Sequence, residues 1–224
     1  GFQAMYSNTT GDGTAVGYRA LYSNTTGTQN TALGYQAGDA ITTGSYNVAV
    51  GANAAGSTTT GTQNIAVGQA ALLSNTGGSF NVAVGDNALT LSTASNNVAI
   101  GYQAGTSNTT GTLNSFFGSY AGYSNTTPNN NSFIGSFAGY SNTTGAANTA
   151  LGQAALQNNT TASSNTAVGY QAGYNNTTGQ YSAFLGHQAG YFTTGGTNTF
   201  VGQQAGQQIT TGAGNTIIGR FNGN

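Results

Sequence analysis

The stretch SNTTGTQNTALGYQAG, residues 23–38, sets Asn, Thr and Gly around one short apolar run and carries no charge. Nearly the same words return along the whole chain. Aligning each Gly that follows a large apolar residue gives Gly17, Gly34, Gly51, Gly68, Gly85, Gly101, Gly118, Gly135, Gly152, Gly169, Gly186, Gly202 and Gly219, with Gly1 in the same role. The spacing is 17 residues, or 16 in three copies, so residues 1–224 read as a single repeat domain with no remainder. The chain opens on Gly1, Phe2, Gln3 and Ala4, which match the middle of the repeat, as expected of a section of a longer protein.

Fixed columns accompany this period. The residue before each repeated Gly is Val16, Leu33, Val50, Val67, Val84, Ile100, Phe117, Ile134, Leu151, Val168, Leu185, Val201 or Ile218, and this invariably large column is the candidate structural core. The residue before that is Ala in most copies and Phe in four, namely Phe116, Phe133, Phe184 and Phe200. A third column, three residues after the Gly, runs as Ala from Ala4 to Ala205 and is broken only by Asn222. A short period with fixed apolar columns marks a solenoid, in which each unit buries its apolar side only against its neighbours.

Each apolar cluster is three or four residues long, rich in Val, Ile, Thr and Phe, and bounded by Asn and Gly, which leaves no room for a helix. The remainder of each copy, SNTTG and TQN, consists of turn formers. The sequence therefore predicts an all-β fold: a parallel β-solenoid, or β-roll, of about 13 coils. The three shortened copies lose their residue within 11–16, 89–97 and 191–198, on the turn side of the repeat, where deletions are tolerated. Pro128 falls at a position where other copies carry Gly, so it interrupts no ladder.

Asn stands four residues before the repeated Gly as Asn30, Asn47, Asn64, Asn81, Asn97, Asn114, Asn131, Asn148, Asn165, Asn198 and Asn215, with Gly13 and Ser182 as the exceptions. Coils stacked at about 4.8 Å would join these amides into a ladder in which each C=O accepts from the NH₂ of the next coil. Tyr6, Tyr22, Tyr123, Tyr140, Tyr174 and Tyr191 share another column and would form partial aromatic stacks along one edge. The aliphatic column and the Ala or Phe column are adjacent, so they point to opposite sides of a strand although both are apolar. One faces the coil interior and the other a partner chain or second layer, an assignment that spacing alone leaves open.

Only 2% of the chain is charged, against about a quarter in an ordinary soluble domain. With two Arg, three Asp and one His, no basic face for nucleic acid and no acidic tail exists. No Cys is present, so neither disulfides nor thiolate metal sites contribute. No apolar run approaches the roughly 20 residues of a membrane-crossing helix, so this segment is not expected to insert in a membrane. His187 and Asp86 share a column six coils apart, about 29 Å at the strand spacing, and Asp12 and Asp39 lie farther along the stack. No paired carboxylates, nucleophile with base, or metal cluster can be assembled from these residues, so no enzyme activity and no cofactor are expected. The Asn-Thr-Thr triplets at Asn8, Asn24, Asn108, Asn125, Asn142, Asn159 and Asn176 match the N-glycosylation acceptor, but five fall in consecutive coils, too close for a glycan on each.

At NTALGYQAG (30–38), NVAVGANAAG (47–56) and NVAIGYQAG (97–105) the pattern resembles the head repeats of trimeric autotransporter adhesins, and similar repeats of phage tail-fibre-like proteins. The resemblance covers the whole chain at the level of an N-x-x-[VIL]-G-x-x-A core. It implies an extended fibre at the cell surface or outside the cell, self-association as a side-by-side trimer, and an unidentified surface receptor. The SNTTG turn makes each coil longer than the family's usual repeat, and neither its stalk nor its anchor is in this sequence. End-to-end stacking into a filament is the other mode of self-association expected, because a parallel solenoid has an open strand edge at each end. The expected function is a structural and adhesive module of an extracellular filament. The alternative is an ice-binding solenoid built on the Thr-rich turns.

Overall fold

A computed structural model describes residues 1–221. The fold is an all-β parallel β-solenoid, and all its strands are short. The chain divides into two compact units, Gly1–Leu113 and a second beginning at Asn114. In a solenoid each coil touches only its neighbours, so contacts have no single centre around which to gather.

The first unit holds β1 (Gly13–Val16), β2 (Asn30–Leu33), β3 (Val48–Val50), β4 (Ile65–Val67), β5 (Val82–Val84) and β6 (Val98–Ile100). Each pairs in parallel with the next, and the register joins equivalent residues: Thr31 with Val48, Ala32 with Ala49, Leu33 with Val50. The second unit holds β7 (Ser115–Phe117), β8 (Ser132–Ile134), β9 (Thr149–Leu151), β10 (Thr166–Val168), β11 (Ala183–Leu185), β12 (Thr199–Val201) and β13 (Thr216–Ile218). These pair in the same way, in chain order.

The repeated Gly ends each strand, and the reason is conformational. From Gly17 to Gly202 these residues have φ between 127° and 143°, a region that side chains of L-residues rarely enter. A Cβ on Gly34 would also lie 2.5 Å from the Gly51 carbonyl oxygen of the next coil. Three further positions per coil are left-handed, as at Gln36, Gly38 and Tyr46, with φ of 52°, 57° and 61°. Non-glycine residues held there cost roughly 1 to 3 kcal/mol each. Hydrogen bonds between coils offset this cost, and they extend beyond the strands: Leu21 N–H donates to Ala37 O at 3.0 Å, Ser23 to Asp39 O at 2.9 Å and Thr25 to Thr42 O at 2.9 Å.

Burial decides between the two apolar columns and corrects the expected core. The interior is the Ala or Phe column: Ala32, Ala49, Ala66, Ala83 and Ala99 in the first unit, and Phe116, Phe133, Ala150, Ala167, Phe184 and Phe200 in the second, are all buried. The column expected inside lies on the outer surface. Val16, Leu33, Ile100, Phe117, Ile134, Leu151, Leu185 and Ile218 are exposed, while Val50, Val67, Val84, Val168 and Val201 are half-buried. Strand alternation permits only one of the two inside, and the inward one is the smaller in most coils, with the larger aliphatic residue left on the outer side. The other inward Ala column, Ala20 to Ala205, is buried as its regularity suggests, and its exception Asn222 lies outside the described residues.

Where Phe does enter, a Gly makes room for it. A Cβ on Gly122 or Gly139 would lie 2.4 Å from the ring of Phe116 or Phe133, and Gly190 and Gly206 stand in the same relation to Phe184 and Phe200. Where the strand residue is Ala, as at Ala66, Ala83 and Ala150, the matching position six residues on is the buried Leu72, Leu89 or Leu156. In these coils the two positions trade volume, whereas Ala32 with Gly38, Ala49 with Ala55, Ala99 with Gly105 and Ala167 with Gly173 leave both small.

This exchange predicts a rescue. Phe133→Ala is expected to lose about 3 to 5 kcal/mol by opening a cavity. Adding Gly139→Leu, at a φ that Leu72 and Leu156 already adopt, restores part of that loss in denaturant titrations. A double variant no more stable than Phe133→Ala alone would contradict the exchange.

Candidate functional site

Asn30, Asn47, Asn64, Asn81 and Asn97 in the first unit are buried and form the ladder expected of them. Asn64 shows the full pattern. Its Nδ2 donates to Asn47 Oδ1 at 3.1 Å and to the Gly78 carbonyl at 2.9 Å, and its Oδ1 accepts from the backbone N–H and the Nδ2 of Asn81, at 3.0 and 3.1 Å. Both donors and both lone pairs are therefore used, which removes the cost of burying an amide. In the second unit Asn131, Asn148 and Asn165 each donate a backbone N–H to the Oδ1 of the preceding rung, from Asn114 onward, at 2.9 to 3.0 Å. Ser182 stands in as a rung: it donates to Asn165 Oδ1, and its hydroxyl oxygen accepts from Asn198 N–H at 3.1 Å. Asn215 Nδ2 closes on Asn198 Oδ1 at 3.0 Å.

A second ladder was not anticipated. Asn24, Asn75, Asn108, Asn125, Asn142, Asn159 and Asn176, which read as turn residues or glycan acceptors, are fully buried. Asn142 donates to Asn125 Oδ1 at 2.8 Å and Asn159 to Asn142 Oδ1 at 2.7 Å. Each also donates to a carbonyl three residues on, as Asn75 does to Gly78 O at 2.9 Å. Gly78 O thus accepts from both ladders at once, and Gly111 O, Gly145 O and Ala162 O do likewise. Pro128 offers its carbonyl to Asn114 at 2.9 Å, so a residue without an N–H serves this position fully. The ladder has gaps. Ile41 follows Asn24 in the column and supplies no donor, leaving Asn24 Oδ1 buried without a partner. An amide buried in this way has no room for a glycan.

Of the two turn threonines, the first hydroxyl is committed to the stack. Thr25 Oγ1 donates to Thr42 O at 3.0 Å, Thr42 to Thr59 O at 3.1 Å and Thr143 to Thr160 O at 3.0 Å. The second is exposed, followed by a buried Gly and then a half-buried hydroxyl residue, so that Thr26 with Thr28, Thr43 with Ser45 and Thr60 with Thr62 form two outer ranks. Within the second rank Thr28 N–H donates to Ser45 Oγ and Thr62 N–H to Ser79 Oγ, both at 3.0 Å.

The tyrosine column stacks as expected, with ring centroids 5.4 Å apart for Tyr6 and Tyr22, 5.1 Å for Tyr123 and Tyr140, and 4.8 Å for Tyr174 and Tyr191. Phe2, Tyr18 and Tyr35 form another stack on a neighbouring column. Rings stacked on one another present edges to solvent, which leaves few free faces for a sugar ring. The ionisable groups are likewise engaged with the coils. Asp12 and Asp86 accept from the backbone N–H groups of Gln29 and Gln69, both at 2.9 Å, while His187 stacks on Tyr170. Arg19 lies 3.8 Å from Asp39 and 4.3 Å from the centre of the Tyr22 ring. The described residues enclose no pocket and bring no three His, Cys, Asp or Glu together. No helix among them is long and apolar enough to cross a membrane. No protein-family model, curated protein or solved structure matches the chain.

Two groups set the expected pH response. Burial pushes the Asp39 carboxyl above its ordinary value, against the opposing pull of Arg19 and its hydrogen bonds. A carboxyl so raised contributes stability below its unfolded value and loses it as pH rises through the folded one, on the acidic side. Burial also raises the Tyr191 phenol, with Tyr174 and Tyr170 adding to it, so its contribution is lost only as pH rises above the ordinary tyrosine range. Melting temperature is therefore expected to be nearly flat from about pH 6 to about pH 9. A steep change across that interval in thermal melts would show that other charges hold the fold.

Proposed function

We propose that this chain is a structural and adhesive module of an extracellular fibre or filament, without catalytic activity. The observation that carries the reading is the interior: an Asn ladder and a second, interrupted one, both bonded from coil to coil, beside a buried column of Ala or Phe. Such an interior supports rigidity along the stack. The carboxylates bound to neighbouring coils and the lack of a pocket among the described residues favour a role in spacing and surface contact over chemistry on a substrate. The likeness of the N-x-x-[VIL]-G-x-x-A core to adhesin head repeats points the same way, and self-association belongs to this reading. Antibodies raised against the recombinant chain should label extended fibres outside intact cells in immuno-electron microscopy. Labelling confined to the cell interior would overturn the proposal.

One arrangement favours a second reading, an ice-binding face. The outer ranks Thr26 and Thr28, Thr43 and Ser45, Thr60 and Thr62 alternate about a buried Gly, although the sequence places two threonines side by side. Thermal hysteresis measured on the intact chain should be detectable on this reading and be lost in Thr43→Tyr. Its absence in the unmodified chain removes the reading.

A further inference from the structure

The tyrosine column carries chemistry that the stacking of coils does not use. Tyr174 and Tyr191 stand in adjacent coils with ring centroids 4.8 Å apart and an interplanar angle of 2°, and Tyr123 and Tyr140 are related in the same way at 5.1 Å and 7°. In the first unit Tyr6 with Tyr22 repeats the arrangement at 5.4 Å and 8°, and Tyr18 with Tyr35, on a neighbouring column, at 5.3 Å and 12°. The strand repeat of about 4.8 Å sets this spacing, so equivalent atoms of two rings lie about one coil apart. All eight rings are half-buried or exposed, which leaves their edges open to solvent. Tyr46 and Tyr181 supply the contrast. They are 54% and 66% exposed, but the equivalent residues in the coils on either side are Gln29 and Gln63 for the first and Ser164 and Thr197 for the second, so neither has a ring beside it.

We infer that the stacked tyrosines are sites of oxidative cross-linking, in which the two rings of a pair, Tyr174 and Tyr191 first among them, join by a carbon–carbon bond between adjacent coils. The co-reactant is hydrogen peroxide acting through a haem peroxidase. Each phenol gives up one electron and its hydroxyl proton, and the unpaired electron of the resulting phenoxyl radical spreads to the ring carbons ortho to the oxygen. The rings turn about their Cβ–Cγ bonds until two ortho edges meet, and those carbons bond. The hydrogen on each bonded carbon then leaves as a proton and a proton returns to each oxygen, restoring both phenols. The pair has lost two hydrogens, and one peroxide has become two waters. Proximity selects the partner: a radical on Tyr174 already has an identical ring one coil away, whereas a radical on Tyr46 or Tyr181 must meet another molecule. The bond closes a loop of one coil and restricts the unfolded chain as a disulfide does, in a sequence that has no Cys. None of this depends on the fibre reading, because it needs only the pairs.

The test exposes the dilute full chain to a haem peroxidase and hydrogen peroxide for a short time, then follows dityrosine fluorescence and analyses digests by mass spectrometry. The expected product is a peptide containing Tyr174 joined to one containing Tyr191, two hydrogen masses below their sum, from a chain that still runs at 22.3 kDa in a denaturing gel. Tyr174→Phe keeps the ring and its stacking, and is expected to lose that link and part of the fluorescence while the link between Tyr123 and Tyr140 remains. Tyr46→Phe with Tyr181→Phe is expected to leave both links at the level of the unmodified chain. No linked tyrosine in the unmodified chain, links that join separate chains only, or a yield carried by Tyr46 or Tyr181 overturns the inference. Should Tyr174→Phe lose its fold by circular dichroism, Tyr191→Phe makes the same measurement from the other ring.

Discussion

The fold depends on a buried carboxamide that, in most coils, is bonded to an identical one in the next coil. An isolated Asn in an apolar interior leaves donors and acceptors unpaired at a cost of about 1 to 3 kcal/mol per group. In the stack, Asn64 uses all four of its hydrogen-bonding positions on Asn47, Asn81 and Gly78. The Gly78 carbonyl then takes a second bond from Asn75, so the two ladders are tied together at one backbone oxygen in each such coil. A buried polar network satisfied this completely specifies register as well as stability. A coil displaced by one residue would face its amides with apolar neighbours.

The same dependence on neighbours accounts for the backbone. Residues such as Gln29, Gln36 and Tyr46 sit at positive φ in conformations that a lone coil would not hold. Bonds between coils, Gln36 N–H to Tyr18 O at 2.8 Å and Tyr46 N–H to Thr28 O at 3.0 Å, hold them there. Where one of the paired interior positions is large the other is small, as in Ala66 with Leu72 or Phe133 with Gly139. Larger aliphatic residues are displaced to the outer side of the strands, and the molecule's surface chemistry follows from that displacement.

The period, the parallel stack and the first amide ladder were legible because they rest on regular spacing, and spacing is what a sequence displays directly. The direction of the columns was not. Val50 and Ala49 are both apolar and adjacent, so spacing does not say which points inward, and burial gives the smaller. The second ladder was obscured by its setting, since Asn-Thr-Thr has the composition of a turn and the spelling of a glycan acceptor. One signal pointed inward: Ile41 and Ile209 occupy that Asn column, and a large aliphatic residue in a supposed solvent turn implies a buried position. The trade between Phe133 and Gly139 was also present in the sequence, as FIGSFAG, but it acquires meaning only once the two positions are known to share one interior.

The ladder is tested most directly by double-mutant cycles on its rungs. Asn47→Ser and Asn64→Ser, in adjacent coils that share hydrogen bonds at 3.0 and 3.1 Å, would be compared with Asn30→Ser and Asn81→Ser, which bond to different rungs. Equilibrium unfolding is expected to give a coupling of about 0.5 to 3 kcal/mol for the adjacent pair and additivity within about 0.5 kcal/mol for the separated one. Equal coupling in both pairs, or none in either, would contradict a fold held by amides bonded to the next coil.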